Sequence, residues 1–487
     1  MKGSDVLGRV VAPGALAGLS GGAVFGVAMS QLGVLPTIAS LVRADSTVIG
    51  LVVHMVIAAI IGVGFAVLVL QQRWGLGEML FWGLTYGLFW WYLGALTLLP
   101  LFLGRPVDWA LGSAQQQFPS LVGHLLYGAT TGLAFGLFQR DGARAAAAPS
   151  SSAVLLRGGV AGIAASVLLG AALSSQNQLL AGYTMMTGAS GLITWIGTLL
   201  IGGLSGLGYA ALYPRPPRNS GTTLIRGMTY GFLWWILGAL TILPLIDGAG
   251  LTWTIAAARS GFVTLPGYLL FGSGTALLYQ WLSAIVRLLF SDNTRRYDEE
   301  GAGTVGLRTV ARGGLAGLLG GLLFTLVMLQ LGFLSTVAAL VGSSSSTTGL
   351  FVHLLIANLI GASYGLLFRR QSYDITSGLG WGVAYGFFWW VLGALTLLPV
   401  LLGGSPQWTA AEAASSFPSL VGHLAYGAGL GIVFYRLEAR HNPWWISRTQ
   451  ADQARARQLK EQLQSSAPAL WALVVVIALT IPMILGR

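Results

Sequence analysis

The sequence predicts an all-α, polytopic integral membrane protein. Three tandem four-helix transmembrane repeats, parallel and related by a pseudo-threefold axis, are followed by one C-terminal transmembrane helix. Three observations predict this. Of 487 residues, 55% are hydrophobic and only 8% charged, where a soluble chain carries about a quarter charged residues. Mean hydropathy is +0.74, so the chain has too little polar surface to face water on all sides. Finally, apolar stretches of about 20 residues, the length that crosses a hydrocarbon core about 30 Å thick, follow one another in groups of four.

The grouping comes from internal repetition, the first thing to test in a long chain. YGLFWWYLGALTLLP begins at Tyr86, YGFLWWILGALTILP at Tyr230 and YGFFWWVLGALTLLP at Tyr385, offsets of 144 and 299 residues. Trp109, Trp253 and Trp408 keep those offsets, as do the stretches beginning at Phe118, Phe262 and Phe417. The first and third copies are collinear; the second diverges.

The first repeat, 1–140, places spans near 11–34, 47–70, 77–101 and 118–138. The second, 155–287, places them near 158–176, 188–212, 223–246 and 260–285. The third, 308–437, places them near 313–336, 348–368, 376–402 and 417–436. The thirteenth is ALWALVVVIALTIPMIL at 469–485, within a terminal segment 468–487. Linkers fall at the Ala/Ser-rich 139–156 and at 287–312, which carries Asp298, Glu299 and Glu300. Residues 438–467, with Trp444 and Trp445 near the start, read as a cytoplasmic amphipathic helix on the membrane surface. The N-terminus runs directly into a long Gly-rich apolar segment, which predicts an uncleaved first span.

Charge sets the orientation. Of 26 Lys and Arg, 22 fall on the N-terminal side of this layout, among them Arg73, Arg140, Arg215, Arg218, Arg295, Arg296, Arg369 and Arg370. Arg43, Arg105, Arg259 and Arg487 fall on the other. Cytoplasmic loops collect cations, so the N-terminus is expected in the cytoplasm and the C-terminus outside, in the inner (cytoplasmic) membrane of a cell. The excess of Arg over Lys fits a prokaryotic one. The same accounting absorbs the formal charge of +11 and excludes nucleic acid as a partner. The expected partners are the lipid bilayer and other membrane protein subunits. With no Cys, disulfides, thiolate metal sites and Cys nucleophiles are excluded.

The 70 glycines, many at small-xxx-small spacing such as Gly14, Gly18, Gly22 and Gly313, Gly317, Gly321, predict close helix crossings. A nucleotide-binding loop is excluded for want of a strand-turn-helix context and a P-loop Lys. The Trp pairs 90/91, 234/235 and 389/390 are expected to fill the middle of each repeat. Trp109, Trp253 and Trp408, in the outer loops, are expected as interfacial anchors.

No acidic or basic residue falls deep in a predicted span, which argues against a proton pump with a buried carboxylate relay. Histidine remains. Four of the five lie within spans, His54, His124, His353 and His423; His441 lies in the cytoplasmic segment. They form two pairs, each 70 residues apart, on the second and fourth spans of the first and third repeats. Both helices run inward from the outer side, and at 1.5 Å rise per residue both imidazoles sit about 10 Å below the outer boundary. In the middle repeat the aligned positions are Trp195 and Tyr268.

Intramembrane imidazoles either satisfy themselves on a neighbouring helix backbone or serve a site. Paired on parallel helices, they can hold a tetrapyrrole: haem b between the two members of a pair, or a chlorophyll-type pigment with one His beneath its magnesium. No other metal is expected, since two His without a carboxylate or thiolate under-coordinate a divalent ion. The haem arrangement is similar to that of membrane b-type cytochromes, in arrangement only.

The function so predicted is a membrane subunit of an electron-transfer or photosynthetic assembly. The alternatives are a transporter or channel for a neutral or lipid-like solute around the threefold axis, and a non-catalytic scaffold whose outer surface and terminal helix dock neighbouring subunits. An enzyme is the poorest fit, and no catalytic residue is assigned, because Ser/His/Asp, His-Glu-xx-His and paired-carboxylate patterns are absent.

Overall fold

The computed structural model describes residues 10–73, 75–107, 109–139, 151–175, 191–215, 219–246, 248–290, 302–440 and 447–486. Arg140, Arg218, Arg295, Arg296, Asp298, Glu299, Glu300, His441, Trp444, Trp445 and Arg487 lie outside the described residues. The described chain is helical and has no strand. Among the described residues, twelve helices are long and apolar enough to cross a bilayer.

In chain order the first group is α1 (Ala12–Gln31), α2 (Thr47–Leu68), α3 (Leu76–Phe102) and α4 (Phe118–Phe138). The second is α5 (Ser151–Ser175), α6 (Gly191–Leu212), α7 (Ser220–Ile246) and α8 (Leu265–Phe290). Then come α9 (Ala302–Leu331), α10 (Ser346–Phe368), α11 (Ile375–Leu401) and α12 (Phe417–Ala439). A polar helix, α13 (Arg448–Leu463), leads to α14 (Ala467–Leu485). Of the thirteen expected spans, the one not among these twelve is the fifth, near 158–176: α5 there is 25 residues long, but its apolar part, Ser152–Val167, is short for a crossing.

Within each group the first helix packs on the second and the fourth, and the third packs on the fourth, whereas the second and third scarcely meet. Glycine makes these crossings, since helices in lipid associate through close backbone approach. A Cβ on Gly18 would lie 2.2 Å from the Ala58 carbonyl, and one on Gly83 would lie 2.1 Å from that of Gly128. The α9–α10 and α11–α12 crossings repeat this at Gly317 and Gly382.

These contacts correct one sequence alignment. Gly14, Gly18 and Gly62 recur 144 residues on as Gly158, Gly162 and Gly206, and make the same backbone contacts. The counterpart of His54 in the second group is therefore Thr198, not Trp195. Apolar content alone lets two helices slide past each other in an alignment, while a glycine crossing fixes the register. Trp195 instead packs over Gly170, where a Cβ would sit 2.5 Å from its ring.

Each third helix is interrupted by eight residues of π-helix, Trp91–Leu98, Trp235–Ile242 and Trp390–Leu397. The wider turn lets the Thr97, Thr241 and Thr396 hydroxyls donate to the carbonyl five residues back, at 2.8, 2.8 and 2.7 Å. The same hydroxyls accept from the indole N–H of Trp109, Trp253 and Trp408 at 3.2, 3.0 and 2.9 Å. With the polar edge of the indole satisfied, Trp253 and Trp408 are 1% exposed, while Trp109 is 72% exposed. Two of the three expected interfacial anchors are thus interior residues. Trp408→Phe, which keeps the ring and loses the bond, is expected to cost about 1 kcal/mol, read as a lowered unfolding temperature in detergent.

Trp91, Trp235 and Trp390 are buried and donate to the Gln117, Gly261 and Ser416 carbonyls at the approach to each fourth helix. Their neighbours Trp90, Trp234 and Trp389 are half-buried.

The last apolar helix is internal. α14 packs against α3, α7 and α11, and against the short helices Leu111–Gln116, Ile255–Gly261 and Ala410–Ser415 of the intervening loops. Ala469, Leu470, Leu473, Val474 and Ala478 are buried. Gln115 Nε2 donates to the Met483 carbonyl at 2.9 Å and Arg259 Nε to that of Ile484 at 2.8 Å. At the opposite end the Glu78 carboxylate accepts from Arg226 and from the Ser466 backbone N–H. α14 therefore lies between the three third helices, with Leu479 left 59% exposed. α13 differs from the expected amphipathic helix: RTQADQARARQLKEQL is polar around its circumference and mostly exposed, so it lacks the apolar stripe that seats a helix on lipid.

Candidate functional site

The fold brings the members of each histidine pair together and gives them different jobs. His54, on α2, is 9% exposed and its Nε2 lies 3.0 Å from the Gly22 carbonyl of α1. His353, on α10, is 6% exposed and its Nε2 lies 3.1 Å from the Gly321 carbonyl of α9. A carbonyl only accepts, so in both rings Nε2 carries the proton and donates it. Glycine at 22 and 321 permits the close helix crossing that brings each imidazole to the carbonyl: a Cβ there would stand 2.6 Å from the Ala58 Cβ and 2.7 Å from the Ala357 Cβ.

His124 and His423 are oriented the other way. Nδ1 of His124 donates to the Ser120 carbonyl at 2.7 Å, and Nδ1 of His423 to the Ser419 carbonyl at 2.8 Å, each four residues back on the same helix. The Ser120 and Ser419 hydroxyls add contacts to Nδ1 at 3.3 Å. In the neutral ring this leaves the lone pair on Nε2, which makes no hydrogen bond among the described residues. An N–H held by a carbonyl, with the other nitrogen left over, is how a metal-ligating imidazole is usually fixed.

Between the two rings of each pair stands a phenylalanine from the first helix. Phe25 meets His54 edge-on at 5.5 Å and His124 at 5.0 Å between centroids; Phe324 meets His353 at 5.3 Å and His423 at 4.6 Å. Below them Tyr127 and Tyr426 donate to the Ala58 and Ala357 carbonyls at 2.9 and 2.8 Å, tying the fourth helix to the second.

In the third group these residues line a cavity of about 330 Å³. Its walls are apolar, with Met328, Ile356, Trp389, Gly393 and Leu397 facing His353 and His423. The π-helical turn of α11 supplies one wall. π-turns recur at functional sites, and here the turn puts Gly393 and Ala394 on the cavity beside Leu397. In the first group a Cβ on the equivalent Gly94 would lie 4.0 Å from His124 Nε2. In the second group the counterparts of Phe25, Tyr127 and His124 are Leu169, Phe271 and Tyr268, which pack on one another.

The geometry bears directly on which tetrapyrrole these residues fit. Haem held on both faces needs two opposed ring nitrogens with lone pairs. His54 and His353 spend Nε2 on a carbonyl, and Phe25 and Phe324 occupy the space between the rings, so that ligation does not fit without moving both. A group taking a single imidazole would use the Nε2 that His124 and His423 keep off the protein backbone. Among the described residues no cluster of three or more His, Asp or Glu is placed to share a metal ion.

Sequence reasoning placed all four histidines in the sites but missed Phe25, Phe324, Ser120, Ser419 and the glycines of the π-turns. Two signals were available: Ser four residues before each fourth-span His, and a Phe three residues beyond the Gly22 and Gly321 positions. No protein-family model, curated protein or solved structure matches the chain.

Proposed function

We propose that the protein is a tetrapyrrole-binding subunit of an energy-transducing membrane assembly, built as three tandem four-span repeats plus α14, with the N-terminus cytoplasmic. His124 and His423 would each hold a chlorophyll-type pigment or haem b through Nε2. One observation carries the reading: each fourth-helix His is locked through Nδ1 to its own helix, and at His423 the ring lines an apolar cavity inside the bundle. When bound, such a group supplies light absorption or one-electron chemistry. The chain's own residues orient the imidazole through Ser120 and Ser419, pack an edge-on Phe against it, and exclude water with aliphatic walls. His54 and His353 act by holding the first helix to the second, which keeps Phe25 and Phe324 in place.

A solute path along the centre is the weaker reading, since α14 occupies that line with buried aliphatic side chains. The test is an absorption spectrum of protein purified in mild detergent from a host that makes both pigments and haem. Soret or red bands are expected, and His423→Ala removes the third-group contribution while His124→Ala removes the first. A colourless preparation would sink the proposal. So would bands that survive loss of both fourth-helix histidines.

A further inference from the structure

The cavity of the third group is a wedge. At its lower end the second and third helices are pinned by tyrosine: Tyr385 and Ser363 share a hydrogen bond of 2.7 Å, as Tyr86 reaches the Ile61 carbonyl at 2.9 Å and Tyr230 that of Ser205 at 2.7 Å in the other groups. Towards the other end the two helices are unbridged, and α10 and α11 scarcely touch. The wall there is mostly aliphatic, with Thr336, Gln407 and Ser416 among its polar members, and at the mouth Leu397 is 40% exposed, Leu402 39% and Leu401 69%. Leu397 and Leu401 belong to the last turns of α11, a helix long and apolar enough to cross a bilayer, and Leu402 follows it. Every lining residue belongs to the third group, so the opening is a slot within one four-helix unit.

Leucine dominates the exposed side chains at this mouth, and a hydrocarbon chain gains by lying along it. From this geometry we infer that the gap between α10 and α11 is a lateral portal to the bilayer leaflet opposite the N-terminus. The site takes its ligand from the membrane, as an amphiphile whose hydrocarbon tail lies along Leu397 and Leu401 while its head reaches His423. This rests on the reading of His423 as the binding group, and it deepens that reading by naming a tail-bearing, membrane-dissolved ligand class. The π-turn is what keeps the slot open, because Gly393 and Ala394 present almost no side chain to it.

The absence of Cys permits a direct test. Ala394→Cys, on the cavity wall, is labelled with bimane and the full-length protein is placed in nanodiscs of phosphatidylcholine whose acyl chains are brominated mid-chain. The expected result is quenching by the brominated tails and none by aqueous iodide, with Ser344→Cys in the exposed outer loop giving the opposite pattern. Leu397→Cys at the mouth carries the same measurement should the wall variant fail to fold. Quenching by iodide would show a water-filled cleft, and quenching by neither a sealed one; either overturns the portal. The readout is independent of absorption bands. A colourless protein with tail quenching keeps the portal and loses the pigment, and a pigmented one without it does the reverse.

Discussion

Arg226→Ala is expected to destabilise the protein by about 3–5 kcal/mol, the usual cost of removing one member of a buried ion pair. Arg226 and Glu78 have side chains only 7% and 13% exposed. Each charge has been taken out of water, and each is tolerable only because of the other. The guanidinium lies over the Tyr213 ring at 4.7 Å, and Glu78 also accepts from the Ser466 backbone N–H. One ion pair therefore joins α3, α7 and the start of α14. The partners occur once each: one turn apart on the third helices, the repeats carry Glu78/Trp82, Thr222/Arg226 and Ser377/Trp381.

Loss of Arg226 strands the carboxylate. Glu78→Gln with Arg226→Met, which keeps an acceptor for Ser466 and replaces the cation by an unbranched apolar chain, is expected to recover most of the loss, because replacing a buried pair with apolar groups is often neutral. Unfolding in detergent followed by tryptophan fluorescence reads both. A single variant as stable as the parent would show that the pair is hydrated and dispensable.

The class of this protein was legible because apolar length and repetition are one-dimensional signals. Twenty apolar residues mean a crossing whatever surrounds them, and near-identical strings at offsets of 144 and 299 residues need no coordinates. What was illegible depends on neighbours. α14 is as apolar as any lipid-facing span, and nothing in ALWALVVVIALTIPMIL distinguishes contact with lipid from contact with three other helices. The indoles of Trp253 and Trp408 looked like interfacial anchors because the π-turn that frees Thr241 and Thr396 to accept from them leaves no mark in composition.

The histidines show the boundary most clearly. Their pairing and matched depth followed from spacing. Which nitrogen is left over follows from Ser120, Ser419, Gly22 and Gly321, and from a phenylalanine on a third helix. Spacing also misassigned Trp195, since only the crossings of Gly158, Gly162 and Gly206 fix the register that puts Thr198 opposite His54.

Gly386→Ala is expected to remove the third-group ligand and to lower stability by about 1–3 kcal/mol, the cost of overpacking a tight contact. The glycine sits where α11 crosses α12, and a Cβ there would lie 2.2 Å from the carbonyl of His423 itself. Because the obstacle is backbone, no rotamer change relieves it, and the helices must separate at the residue that binds. Gly87 stands in the same relation to His124 at 2.1 Å, and Gly231 to Tyr268 at 2.0 Å. The three alanine variants thus impose one steric insult on three versions of the site.

All three should melt earlier, whereas Gly112→Ala, with no neighbour within 4 Å, should not. Only Gly87→Ala and Gly386→Ala should lose absorption bands, each its own, because the second group has tyrosine in place of the ligand. Equal loss of bands on Gly231→Ala would mean that the bands report global packing. Full retention on Gly386→Ala would mean that the α11–α12 crossing does not position His423, and the link from glycine packing to binding would be wrong.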